Sequence, residues 1–272
     1  MRAYVLLACT ALLACSKTDP SPGTTPPAST GAAVAPGAAC GPDAFDAILR
    51  KYVSGGKVDY GRLKSTKSDL DEFDAYLGRV ATCDATKLQG LAHYAFWVNA
   101  YNAFNIKGVL DQWPVANIKS VEGFLDKKKW RVANLDATLN DMEYKHLISA
   151  HRDARAHFAV VCADLGSVPL APHAYTPDKL EAMLEKKTRE FVADPHNLTV
   201  DIPAKRVNVS MLFSPEWYEK DSLADKRFKG KKAVEYLVPY VDKPTGDFLA
   251  RGDYAVKYID WDWSLNAATA TK

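Results

Sequence analysis

The chain has 272 residues, 47% of them hydrophobic, and a formal net charge of +2. That length lets a single domain bury a sizeable core. The balance is near neutral, and Lys127-Lys128-Lys129 and the lysines from Lys229 to Lys232 lie among acids, which argues against nucleic acid as a partner.

Met1-Arg2 precedes an apolar run from Ala3 to Ala14 and then Cys15, the order of a secretory signal. At about 12 residues the run is too short to span a bilayer. Leu12-Leu13-Ala14-Cys15 resembles the lipobox of bacterial lipoproteins, in which the cysteine is diacylated and the chain is cut before it. The same spelling at Leu6 to Cys9 leaves too short an apolar region. The resemblance implies a signal peptide over 1–14, a lipidated Cys15 and anchoring to a membrane of the cell envelope. Ser16 resembles the class sorted to the outer membrane, facing the periplasm, where the source has one. Residues 15–39 are mostly Ser, Thr, Pro, Gly and Ala and bury too little surface to offset ordering entropy, so they read as a flexible linker. Residues 40–272 read as the globular domain.

Of the five cysteines, Cys9 leaves with the signal and Cys15 carries lipid. An exported domain permits one disulfide among Cys40, Cys83 and Cys162. Cys40 and Cys83 flank predicted helices at surface-like sites, whereas Cys162 ends an apolar run. Cys40–Cys83 is the expected pair and Cys162 the free thiol, with three reduced cysteines as the alternative that spacing leaves open.

Asp43 is placed to cap a helix carrying Phe45, Ile48, Leu49 and Tyr52, which Gly55-Gly56 ends. Leu70, Phe73, Tyr76, Leu77 and Val80 repeat the helical spacing. Leu88 to Leu110 is apolar nearly all round and predicts a central helix. Within it Asn99, Asn102 and Asn105 recur every third residue and are expected to tie down neighbouring backbone. Trp130 to Val132 and Ala137 to Leu139 predict short strands, Asn140 to Ala150 a helix, and His157 to Val161 a buried strand. A helix follows from Thr176-Pro177 to Val192, then a hairpin of Leu198 to Ile202 and Arg206 to Ser210. Helices around Trp217 and over Ala233 to Leu237, and a last strand over Tyr254 to Tyr258, complete the chain. Helices first and strands later give an α+β class, with helices packed on a small antiparallel sheet that includes Phe158 to Val161.

The run His157-Phe-Ala-Val-Val-Cys162 leads directly into Ala163-Asp164-Leu165-Gly166-Ser167. A thiol at that turn is supported from behind, and the backbone N–H groups after it can lower its pKa and hold an oxyanion. A base is then needed, with a third group to orient it. His157, His146, His151 and His173 are the candidate bases, and Glu143 and Asp164 the candidate carboxylates. Each has an ordinary reading as well. Cys162 reads as core, Glu143 as the end of a capping box begun by Asn140, and His173 as surface. In a straight strand His157 faces away from Cys162, and a bend is needed to bring them together. Metal-ligand spacing, phosphate loops and nucleophile elbows are absent from the sequence, so neither metal nor cofactor is expected.

Phe96-Trp97-Val98-Asn99-Ala100-Tyr101-Asn102, Leu139 to Glu143, His157 to Cys162, Ala174-Tyr175-Thr176 and Asp262 to Asn266 together resemble the uncharacterised domain of unknown function family 547. The resemblance spans residues 45 to 266. Through it the fold resembles the papain and transglutaminase group of thiol enzymes, which implies peptide or amide bonds as substrates, including those of an envelope polymer. Cys162, His157 and Glu143 match the family's pattern, with Cys162 as nucleophile, His157 as base and Glu143 orienting it. Tyr144 stands where the family usually has histidine, and Ser167 where it has a second cysteine. Two classes of function are consistent with this: a thiol-dependent hydrolase or acyl transferase of the envelope, and a catalytically inactive envelope binding protein.

Overall fold

The computed structural model describes residues 40–214 and 233–268; Cys9, Cys15, the linker and the helix expected around Trp217 lie outside them. Helix α1 (Asp43–Tyr52) buries Phe45, Ile48, Leu49 and Tyr52, the predicted stripe. Its N-cap is Pro42, so Asp43 stands in the first turn, where its charge suits the helix dipole. A tight hairpin of β1 (Val53–Ser54) and β2 (Lys57–Val58) follows over Gly55-Gly56. Then come α2 (Tyr60–Ser65) and α3 (Lys67–Thr82), the latter burying Phe73, Tyr76, Leu77 and Val80.

Helix α4 (Gly90–Gln112) is buried from Tyr94 to Ile106 without interruption and ends before Trp113-Pro114. It is the axis of the main core, to which α1 and α3 contribute their apolar stripes. A second hairpin, β3 (Trp130–Val132) and β4 (Leu135–Ala137), lies beyond it. Thr138 and Asp141 close a capping box there, in place of the one expected between Asn140 and Glu143. From this cap α5 (Leu139–Asp141), a π-helical stretch Met142–Ile148 and α6 (Ser149–His151) run on in continuous helical backbone. π-Helical geometry is rare and concentrates at functional sites; Glu143 sits inside it.

The segment expected as a strand is different. Ala156–Ala159 forms one helical turn, α7, and only from Val160 is the chain extended. A short apolar run is buried equally well as a strand or a turn. Here the side chain of Asn102 takes the Ala159 carbonyl and the Val161 N–H, the groups a neighbouring strand would have paired. Phe158 to Val161 therefore belong to no sheet.

Helix α8 (Leu180–Ala193) joins the main core through Leu180 and Leu184, and a second apolar cluster through Phe191. In that cluster β5 (Leu198–Asp201) and β6 (Arg206–Ser210) form the predicted antiparallel hairpin. A 3-10 helix covers Ala233–Tyr240. Helix α9 (Lys243–Arg251) was not expected, although Asp242 caps it, proline stands in its first turn and Gly252 closes it at φ +69°. Strand β7 (Ala255–Ile259) pairs with β6 in parallel, so the sheet is mixed rather than wholly antiparallel. The α+β class stands.

Cys40 and Cys83 form a disulfide across a separation of 43 residues, and Cys162 is free, as expected. Constraining a loop of that length in the unfolded chain is worth about 2–4 kcal/mol. The double variant Cys40→Ser/Cys83→Ser is expected to lower unfolding stability by that amount in urea titration, with native near-UV circular dichroism retained.

Candidate functional site at Cys162

Three side chains of α4 organise the site. Asn99 exchanges two hydrogen bonds with the backbone of Tyr175, at 2.7 and 2.9 Å, and Asn102 does the same with Ala159 and Val161, at 3.0 and 2.9 Å. These are the roles expected of the asparagine repeat. Asn105 is the exception: it is buried, and neither amide atom has a partner among the described residues. Between them Tyr101, wholly buried, sets its hydroxyl 3.2 Å from Cys162 Sγ.

The π-helical stretch and α7 supply the second pair. His157 Nδ1 lies 2.8 Å from Glu143 Oε1, with side chains only 4% and 8% exposed. Nδ1–H donates to the carboxylate, which leaves Nε2 as the free ring nitrogen. Nε2 is buried without a partner among the described residues, and such a group calls for an explanation. Because α7 is a turn, the opposite-face objection to His157 and Cys162 does not apply. The thiol is nevertheless hydrogen-bonded to Tyr101 and not to His157.

The loop around Cys162 has four of its N–H groups engaged. The Cys162 N–H donates to Ser167 Oγ, Leu165 and Gly166 donate to the carbonyls of Ser264 and Asp262, and Ser167 donates to Asp164 Oδ1. These donors are committed. Asp164 is buried and also accepts from Trp261 Nε1 at 2.9 Å; burial raises its pKa. Its role is to hold the loop. Gly166 is required here, since a Cβ would lie 2.6 Å from the Trp261 ring. Ala163 is held at φ +57°, a conformation that costs a non-glycine residue roughly 1–3 kcal/mol. Burial, followed by the charges of Asp164 and Glu143, pushes the Cys162 thiol well above its ordinary pKa, opposite to the depression expected from the sequence.

The other candidate bases lie elsewhere. Trp97 Nε1 donates to His93 Nε2 at 3.0 Å, so the His93 proton is on Nδ1, which donates to His151 Nε2 at 2.9 Å. His151 stacks on Tyr94, and His146 stacks on Trp97 at 3.9 Å between centroids. His173 is exposed, 3.7 Å from Asp46, at the rim of a cleft of about 1150 Å³ between α1, the Pro169–Ala174 loop and α8. Lys187, buried and bonded to the Pro169 carbonyl and Glu190, forms part of its wall. Cys162, His157 and Glu143 do not line this cleft. Among the described residues no group of three histidine, cysteine or carboxylate side chains is disposed to hold a metal ion.

Tyr101 is the neighbour of the thiol that sequence reasoning missed. It directly precedes Asn102 in the Phe96 to Asn102 motif, and that adjacency was the available signal.

An α+β domain with a buried asparagine-bearing helix and a thiol loop is thus the class of protein. Residues 85–192 match the model of a family described as "Protein of unknown function, DUF547". That match supports placing the domain in this family, in agreement with the motifs from Phe96 to Tyr175. No curated protein and no solved structure matches the chain.

The histidine cluster predicts acid sensitivity. Burial lowers the pKa of His93, His146 and His151, and the charge of His93 lowers the latter two further. Asp153 opposes this at His151; at His146 Asp141 opposes it and Lys145 adds to it. With native pKa values below the unfolded value of about 6.5, the unfolded chain binds more protons as pH falls through that value, so stability is lost on acidification. The urea midpoint is expected to be lower at pH 5.5 than at pH 7.5. His151→Phe, which keeps the stack on Tyr94, is expected to shrink that difference; an undiminished difference would assign the effect to other groups.

Proposed function

We propose that this domain is a thiol-dependent hydrolase or acyl transferase acting on peptide or amide bonds, carried in the cell envelope by lipid on Cys15. The observation that carries the chemical part is the buried Glu143–His157 pair with its free Nε2. A carboxylate that fixes one ring nitrogen and leaves the other bare is the arrangement of an oriented general base. In this reading His157 Nε2 takes the Cys162 proton as Sγ bonds to the acyl carbon. The leaving amine then takes that proton, and the resulting thioester passes its acyl group to water or to an acceptor nucleophile, restoring the thiol. The high thiol pKa fits proton removal during attack, in place of a standing thiolate. Peptide bonds as the substrate rest on the resemblance to the papain and transglutaminase group.

The committed N–H groups of the loop favour the second reading, an inactive envelope binding protein. p-Nitrophenyl acetate separates the two. The hydrolase reading expects acetylation of Cys162 in the native protein, localised by mass spectrometry and slowed about 10²- to 10⁴-fold in His157→Gln. Absence of acetylation, or a rate indifferent to His157, leaves the binding reading.

No described helix is long and apolar enough to cross a membrane, and the anchoring reading needs none. Cys15→Ser is expected to move the protein from the membrane to the soluble fraction. A processed Cys15→Ser protein that stays with membranes would overturn the lipid anchor.

A further inference from the structure

We propose that Tyr101 is an oxyanion donor of the Cys162 site, contributed from α4. The inference rests on the acyl-transfer reading above. When Sγ bonds to a carbonyl carbon, the π electrons move to the carbonyl oxygen, which is then two bonds from Sγ and needs a donor. The N–H groups of Cys162, Leu165, Gly166 and Ser167 already donate within the loop and its C-terminal neighbour. The Tyr101 hydroxyl is free of that network and stands 3.2 Å from Sγ. In the resting site either atom can be the donor. Once the thiol proton is on His157 Nε2 and Sγ is bonded to carbon, sulfur has no proton to give, and the Tyr101 hydroxyl is free to donate to the new oxyanion.

The phenol is well placed to keep its own proton throughout. Burial, with the Cys162 and Glu143 charges, pushes its pKa well up. Its ring is wholly buried in the core, and the adjacent Asn102 fixes the backbone leading to Cys162. Donor and nucleophile are therefore positioned by consecutive residues of one rigid helix, the preorganisation that electrostatic stabilisation of an oxyanion requires. Tyr101 keeps its proton during the step. Collapse of the oxyanion re-forms the carbonyl and expels the leaving group, which takes the proton held on His157. The substrate class is accordingly an acyl donor with a carbonyl oxygen that gains charge; alkylation of the thiol places no such demand.

That difference supplies the test. Tyr101→Phe is expected to cut acetylation of Cys162 by p-nitrophenyl acetate about 10²- to 10³-fold. Its plateau rate of alkylation by iodoacetamide at alkaline pH should stay within about threefold of the parent. A 3-fluorotyrosine in place of Tyr101, a stronger donor of nearly the same shape, is expected to retain acetylation, which separates loss of the donor from loss of fold. Equal slowing of acetylation and alkylation, or unchanged acetylation in Tyr101→Phe, overturns the assignment of Tyr101. A parent protein that is alkylated but never acetylated at Cys162 overturns the acyl-transfer reading itself.

Discussion

The carboxamide of Asn102, buried on α4, bonds the Ala159 carbonyl and the Val161 N–H, and this two-point contact decides how the chain enters Cys162. Removing it leaves two buried backbone groups unsatisfied, at about 1–3 kcal/mol each. One turn earlier Asn99 treats Tyr175 in the same way. A single helix thereby fixes two non-helical segments that are remote from it in sequence. Buried polar groups of this kind specify geometry more than they add stability, because a shifted segment loses both bonds at once.

The thiol loop has a second support at the other end of the chain. The segment from Trp261 to Asn266 pairs with it through Leu165, Gly166 and Ala163, and Trp261 bonds to Asp164. Asn266 also accepts from the Tyr60 hydroxyl at 2.8 Å, which links this segment to the main core. Ser167 Oγ accepts the Cys162 N–H. Its hydroxyl therefore serves the shape of the loop. The N–H groups of Cys162, Leu165, Gly166 and Ser167 are spent on this support.

Much of the frame was legible in the sequence. The all-round apolar character of Leu88 to Leu110 marked the central helix, because only a helix buried on every side tolerates it. Asn99 and Asn102 make the backbone contacts assigned to them, because a buried amide must satisfy both of its ends, whereas Asn105 makes none among the described residues. The contexts of Cys40 and Cys83 indicated their pairing. Helix α9 was missed although its cap, proline and closing glycine were all present, since only Phe248 and Leu249 mark its apolar side.

Local patterning by itself determined the α+β class, the central helix and the residue types able to carry chemistry, since each depends on neighbours close in the chain. Tertiary structure alone decided that Phe158 to Val161 leave any sheet, because Asn102 supplies the hydrogen bonds a strand partner would have supplied. It also decided that His157 faces Glu143 while His93 and His151 face each other, and that Cys162 meets Tyr101 across a separation of 61 residues. Burial, partnership and the resulting pKa of a thiol are properties of contacts between distant segments, and no periodicity within one segment encodes them.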